Sequence, residues 1–525
     1  MALLLERGTS IGRLRVRAAA RDATAVRMRS ESLLRTVDLQ PAWLPSQAIL
    51  CIRSFPDPLP GAFDLSGHAS VPPLPWQHAA RESIEKLARR AIRPALEVVP
   101  ATAEAVLFLD RAEMLACAAR DVVRGVLARE WWWPRLVDVH AGLAPIVREW
   151  MREPRCVPAA MALLARRREE VVAVARAIAR DDARRIVDAV LREHALPAVA
   201  QAIVAALTMT TQREQVVRQR ARMARARWVE VVPEVQEVSL VIEQRLVLAV
   251  TLLLQRAPAI VRARSFATTI ERWVAKERAE AVGGETAVET VQARRTSARR
   301  LEVATRSRNA DEVVVAIREE KTTTQRAPGV RRVDAVAIEV PVSMARSDGG
   351  TPSGQPAGRR RSENLDVEFF SEYAGAFFLF NVGIALGFYS DFTSPTQQGI
   401  GLDVFLFVDR LGRALAGKKF ARDPMHAFLK RRAPRWTPPP VLAAYPNAPR
   451  RDSWIAAVAN HVRLRFGPKL AKQLVTVPGR ITASPLHLDA HFSLAVHPIE
   501  IRIAGLDRNP GWIPAAGRHV AFHFD

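Results

Sequence analysis

The chain has 525 residues, 49% of them hydrophobic, and a formal net charge of +23, which places it among ordinary globular proteins with length for two to four domains. Its three cysteines, Cys51, Cys117 and Cys156, are far apart and odd in number, which excludes a disulfide framework or a CxxC metal knuckle and fits a reducing compartment. The charge suits a polyanion, yet only eight of the 77 basic residues are lysine; with abundant Ala and Val this reads as a GC-rich coding background, so generic basicity is preferred to nucleic-acid binding.

Residues 1–75 read as an extended region. The opening MALLLERGTS has only three leucines before an acid, too short for a signal-peptide core, which argues against general secretory export. Leu14, Val16 and Ala18 alternate with arginines, and Ala48–Phe55 forms a second strand-like run before the proline-rich Pro56–Pro75.

From His78 the pattern turns helical and stays so for most of two hundred residues, until apolar periodicity is lost after Trp273, which predicts an all-helical domain over 76–280. Asp110 and Glu113 have capping-box spacing, followed by Leu115, Ala118, Val122 and Val126 at helical intervals up to Trp131, Trp132, Trp133 and Pro134. Short helices are expected over Val157–Arg166, Glu170–Arg180, Asp182–Glu193 and Ala198–Leu207, with brief connections that favour an antiparallel array. Three consecutive tryptophans cannot all share one helix face. At least one of Trp131, Trp132 and Trp133, all three candidate interaction residues, is therefore expected at an inter-element or inter-subunit contact, against the plainer reading of a helix-end packing cluster. Arg218, Arg222 and Arg225 share a face of another predicted helix, Arg213–Arg227. They are candidates for a phosphate or acidic-protein rail, although a solvated face is preferred because aromatic interleaving is scarce. Cys117 lies on an apolar helix with no local histidine, which favours packing over nucleophilic chemistry.

Residues 281–364 are polar, basic and rich in Gly, Ser and Pro, and read as a largely disordered linker with transient strands at Glu312–Ile317 and Val333–Val342. The second ordered part spans 365–525. Its uncharged stretch Tyr373–Ser390 is interrupted by Gly375, Asn381, Gly383 and Gly387, so a buried helix is preferred to a membrane span. Helices are expected near Val404–Leu415, Met425–Arg431 behind an Asp423-Pro424 cap, and Ser453–Phe466. Strands are expected at Leu474–Val477, Arg480–Ala483, Leu486–Val496, Ile499–Ala504 and Arg518–Phe524, forming an antiparallel meander. The fold class is therefore α+β: a mainly helical N-terminal array, a basic linker, and C-terminal helices packed on that meander.

The terminal strands concentrate imidazoles. His487, Asp489 and His491 project from one side, as do His519 and His523. Imidazole and carboxylate so arranged are candidate ligands for a divalent metal, against the alternative of polar residues on a wet sheet face. No GxxxxGK[ST], GxGxxG at a strand-to-helix turn, HExxH or GxSxG occurs.

Four stretches carry a family likeness: AEAVLFLDRAEMLACAARDVVRG with the following WWWPRL, EWMREPRCVPAAMALL, EYAGAFFLFNVGIALGFYSDFT with the later DPMHAFL, and IRIAGLDRNPGWIPAAGRHVAFHFD. With these the chain resembles a family of bacterial proteins encoded in gene clusters for extracellular contractile injection systems, the phage tail-like particles. The resemblance covers most of the ordered chain but not the basic linker, and it assigns no catalytic or binding residue. It implies a non-enzymatic accessory, structural or assembly role. The partners would be other proteins of the injection system, and the location cytoplasmic or particle-associated. A nucleic-acid-binding or metal-dependent enzyme built on the C-terminal histidines is the competing expectation.

Overall fold

A computed structural model describes residues 11, 23–37, 39, 41, 44, 45, 47–60, 72–208, 227–263, 265–278, 367–391, 400, 402–433 and 451–525. The Leu14–Ala18 alternation, the arginine helix around 213–227 (its last residue, Arg227, excepted) and the 281–364 linker with its two transient strands lie outside these residues.

The first part is not uniformly extended, since Ala23–Arg35 is a helix. The helical array is likewise not purely helical. Strand β1 (Ile49–Ile52) pairs antiparallel with β2 (Ala105–Phe108), setting Ile49 opposite Phe108. Helix periodicity on both sides hides so short a buried strand, because four continuous apolar residues carry no distinguishing period.

Helix α1 (Arg111–Val123) starts where Asp110, in extended conformation, accepts a 2.9 Å hydrogen bond from the Glu113 backbone N. The Glu113 carboxylate turns to Arg93, Nη2 to Oε2 2.7 Å, so only the aspartate half of the expected capping box forms in its usual way. Helices α2 (Cys156–Leu164), α3 (Arg168–Ala177) and α4 (Arg180–Glu193) follow the predicted spacing, and α5 (Ile242–Arg256) is a further helix not singled out from the sequence. Residues 112–119 of α1 and 246–254 of α5 are buried all round. A helix apolar on every side belongs at the centre of a core. Both pack on α2, whose alanines allow close approach.

Trp132 and Trp133 are buried in this core, and Trp131 packs edge-on against Trp132 at its rim. Trp133 Nε1 donates to Asp121 Oδ2 at 3.0 Å. Trp132 and Trp133 thus serve a contact inside the core, out of reach of a partner, and only Trp131 stands at its rim. The helix carrying the apolar stripe ends at Val123, and the chain turns at Gly125 with φ +68° before the tryptophans.

In the C-terminal part, β3 (Val367–Ser371) leads into a 3₁₀ turn, Ala374–Phe378, and helix α6 (Leu379–Ala385), both buried. Three of the four residues that spoil Tyr373–Ser390 as a spanning helix have a local reason. A Cβ on Gly375 would lie 2.3 Å from the Leu474 carbonyl oxygen, and one on Gly383 would lie 2.8 Å from the Tyr389 ring. Asn381 Nδ2 donates to the Leu506 and Arg508 carbonyls. Among the described residues no helix is long and apolar enough to cross a membrane.

Helices α7 (Val404–Ala416), α8 (Pro424–Arg432), α9 (Arg451–Phe466) and α10 (Pro468–Gln473) come next. Asp423 caps α8 through the Met425 backbone N with Pro424 at the first turn, as expected. Leu474–Val477 is not a strand: the Leu474 N–H bonds back to Leu470 and closes α10.

The sheet itself contains β3, β4 (Gly479–Ala483) and β5 (His487–Phe492), then, after helix α11 (Ile499–Ile503), β6 (Gly511–Ile513) and β7 (Arg518–Phe524). Its order is β3-β4-β5-β7-β6, with β5 and β7 parallel. The sheet is mixed, which corrects the antiparallel meander. Side-chain alternation fixes which face a residue takes but not the direction of its partner strand, and parallel neighbours need a crossover of the length that 493–517 provides. That crossover contains α11, where a strand was expected; in Ile499–Ile503 only Ile501 is buried. The α+β class stands.

Leu488, Ala490, Phe492, Val520 and Phe522 face a second core, where Phe378 meets Phe492 and Phe522 at ring distances of 4.8 and 5.1 Å. The described residues up to 278 and from 367 onward cluster as one compact unit. The two ordered stretches, expected as separate parts, are therefore joined: Leu486 and Trp512 belong to the same core as α1, α2 and α5.

Candidate histidine site

Parallel pairing of β5 with β7 sets His487 beside His519, Asp489 beside Ala521 and His491 beside His523. Residues paired in parallel strands point to the same face, so the five predicted residues do share one side. The His487 and His519 rings are 5.5 Å apart edge-on, and those of His491 and His523 stack at 4.6 Å.

This face is not simply wet. Asp489, 6% exposed, accepts from His523 Nε2 at 3.0 Å on one oxygen and from Gln47 Nε2 at 2.9 Å on the other. Arg155 Nη1 lies 3.2 Å from His519 Nε2, and because a guanidinium only donates, the imidazole nitrogen accepts there. The same Arg155 pairs with Glu193 at the end of α4 and lies 5.2 Å over the Trp512 ring. At the β4–β5 turn, Asp110 Oδ2 accepts from Ser484 Oγ at 2.6 Å and from the Leu486 backbone N at 2.9 Å. Buried Arg518 donates to the Ser484 and Pro485 carbonyls. The N-terminal helices thus cover the histidine face and bond to it through charged groups.

Burial opposes ionisation of Asp489, but the hydrogen bonds from His523 and Gln47 outweigh it and hold the carboxyl below its usual range. The Asp489 bond raises His523 despite its partial burial. Burial lowers His487, with Arg518 adding to that effect, and lowers His491, with His523 and Arg480 adding to it. Next to this face, His194 stands edge-on to Trp512 at 5.3 Å and is pushed down to about 3 by burial, with Arg262 and Arg155 adding to the effect. The arrangement holds the Asp489–His523 and Arg155–Glu193 pairs beside imidazoles whose burial favours the neutral form.

A divalent ion does not fit these donors. His487 and His491 stand four residues apart on a strand, roughly 13 Å, whereas ligand distances to zinc are roughly 2 Å. The two histidine pairs therefore cannot close on one ion. Both Asp489 oxygens, His523 Nε2 and His519 Nε2 already have protein partners. Among the described residues no three His, Cys, Asp or Glu side chains are placed to hold a metal. The metal expectation for His487, Asp489, His491, His519 and His523 is corrected on that geometry. Arg218, Arg222 and Arg225 lie outside the described residues.

Gln47, Asp110, Arg155, Ser484 and Arg518, which complete the face, were not among the predicted site residues. Only Asp110 carried a signal, and that signal, its capping spacing, pointed to a local role. Buried Cys117 is raised by its burial, as is Cys51, to about 12, so neither is an activated thiolate. The chain matches no protein-family model, no curated protein and no solved structure.

Proposed function

We propose that this chain is a non-enzymatic structural or assembly protein of a bacterial contractile injection system, working through protein contacts rather than through chemistry at its histidines. The single observation that carries this reading is the surface of the β5–β6 crossover. Within ten residues, Leu494, Val496, Ile499 and Ile503 are exposed by 49%, 56%, 65% and 79%. Four large aliphatic side chains left in water so close together in sequence mark a contact surface more often than a free one. The histidine face supports the same reading, because Asp489 and His519 are engaged by Gln47 and Arg155 from the N-terminal part and the other Asp489 oxygen by His523. Placement in an injection system rests on the family likeness of the four stretches quoted above.

Replacing Ile499 and Ile503 with serine in the native host tests the proposal. The expected result is an unchanged melting temperature, loss of co-purification with particle proteins, and incomplete particles. Normal assembly, loading and firing with the doubly substituted protein, or with the gene deleted, would overturn it.

A further inference from the structure

The basic charge is distributed very unevenly between the two parts of the protein. In the helical array, residues 76–208, 21 lysines and arginines face 17 carboxylates. Although Arg89, Arg90, Arg129, Arg135, Arg148 and Arg166 are exposed without an ion pair among the described residues, many others are matched: Arg124 by Glu170, Arg155 by Glu193, Arg192 by Asp188, and both Arg180 and Arg184 by Glu243. Helices α7 and α8 and the 3₁₀ turn between them, Gly417–Arg422, are different. Val404–Arg432 contains eight lysines and arginines and two carboxylates. Both carboxylates are engaged elsewhere, Asp409 with His426 and Asp423 with Ser371 and the backbone N of Glu372 and Met425. Arg413, Lys418, Lys419, Arg422, Lys430 and Arg431 are all exposed. Among the described residues none of the six is paired with a carboxylate. Helices α9 and α10, which pack on α7, add exposed Lys469 and Lys472.

Composition points to the same region. Five of the eight lysines in the chain, at 418, 419, 430, 469 and 472, fall within these 55 residues. A coding bias that substitutes arginine for lysine acts along the whole chain, so a local return of lysine is not its product. Cations also favour helix C-termini, which accounts for Lys430, Arg431 and Lys472. It does not account for Lys418, Lys419 and Arg422, which sit on a 3₁₀ turn.

We propose that the surface formed by Arg413, Lys418, Lys419, Arg422, Lys430 and Arg431 binds the phosphate backbone of duplex nucleic acid. This site is separate from the crossover surface above and independent of the assembly role. Its chemistry favours a polyphosphate over the other anionic surfaces. A protein partner needs an apolar centre within its polar rim, and among the described residues of α7 to α10 the only exposed large hydrophobic is Leu464. A basic helix lying on a membrane buries an apolar face in the lipid, whereas the apolar faces of α7 and α8 are spent on the protein core. Recognition here is by charge alone, which is how a protein holds a duplex without reading its sequence.

The test uses the full chain and a fluorescein-labelled mixed-sequence duplex DNA, followed by fluorescence anisotropy across a salt series. The triple variant Lys418→Ala, Lys419→Ala, Arg422→Ala should bind roughly tenfold or more weakly, with its log–log salt slope shallower by about 2 to 3. A control triple carries the same change of charge on the helical array, Arg167→Ala, Arg185→Ala, Arg192→Ala, and should bind within about twofold of the parent. The pair Lys430→Ala, Arg431→Ala should also weaken binding, which keeps the test decisive if the first triple is unstable. Equal losses in both triples, or no loss in the α7–α8 variants, would overturn the assignment. So would loss of sedimentation with phosphatidylserine vesicles while duplex binding is kept, which would make the surface a membrane contact.

Discussion

Asp110 and Ser484, 374 residues apart in the chain, lie 2.6 Å from each other between carboxylate and hydroxyl. The carboxylate that starts helix α1 therefore also fixes the β4–β5 turn. One oxygen serves the helix and the other serves Ser484 and the Leu486 backbone N. With Arg518 bonding the carbonyls of the same turn, this seam makes one unit of two stretches that the sequence presents as separate.

Asp110→Ala removes the cap, takes the acceptor from the buried Ser484 hydroxyl and leaves the Leu486 N–H only its longer 3.4 Å bond to Ser484 Oγ. A lost cap costs about 1 kcal/mol and a stranded buried donor about 1 to 3 kcal/mol, so urea unfolding should show a loss of about 3 kcal/mol. Asp110→Asn keeps one acceptor oxygen and puts an NH2 donor at the other place, so it can still cap the helix but no longer accept at the turn, and should lose about half as much. A loss below about 1 kcal/mol for the alanine variant would mean that the seam contributes little to holding the unit together.

His194 makes stability depend on pH in a defined direction. Its folded pKa, about 3, is below the ordinary 6.5, so the unfolded chain binds the proton first. The stability it contributes is complete above pH 6.5 and falls as pH drops toward 3, a loss of about 2 kcal/mol by pH 5. His487 and His491, also lowered, act in the same direction. The His523–Asp489 pair behaves differently. The aspartate's contribution is lost only as pH falls below the ordinary carboxylate range, and the histidine's fades as pH rises through a raised imidazole pKa. His194→Phe keeps a ring against Trp512 and should flatten the fall in denaturation midpoint between pH 7 and pH 5. An unchanged slope in that variant would show that His194 is protonated in the folded protein.

What the sequence revealed and what it hid have a common cause. The α1 cap, the Asp423-Pro424 start of α8 and the alternation of β5 and β7 are local signals, written within a few residues, and they appear where expected. The same alternation placed five candidate residues on one face correctly. It could not show that the β5–β7 pair is parallel, nor that Gln47 and Arg155 would arrive from the other end of the chain to occupy Asp489 and His519. Ile499–Ile503 alternates like a strand yet forms a helix, because its place in a crossover outweighs a five-residue pattern.

Gly375 marks a place where two backbones meet. Its N–H bonds to the Val477 carbonyl at 2.9 Å, and a methyl group there would lie 2.3 Å from the Leu474 carbonyl oxygen. Backbone cannot yield as a flexible side chain does, so Gly375→Ala should cost about 3 kcal/mol in urea or thermal unfolding. Gly142→Ala, at φ +59° with nothing within 4 Å, meets no neighbour and carries only the strain of its backbone, about 1 kcal/mol. Equal losses at the two positions would mean that the strand-end approach at Gly375 relaxes freely.

Trp131 and Trp133 separate a core role from a contact role. Trp133 is fully buried, and its indole N–H donates to Asp121, which is itself 4% exposed and also bound by Arg120 at 2.9 Å. Trp133→Phe keeps most of the apolar volume but leaves a buried carboxylate oxygen without its donor, and should lower unfolding free energy by about 2 kcal/mol. Trp131, at the rim of the same cluster, should tolerate phenylalanine with a loss of about 0.5 kcal/mol. If Trp133→Phe instead left stability intact while reducing capture of particle proteins, the indole would be facing a partner and its placement in the core would be wrong. If Trp131→Phe alone reduced capture at full stability, the tryptophan run would carry a contact at its exposed end as well as packing at its buried one.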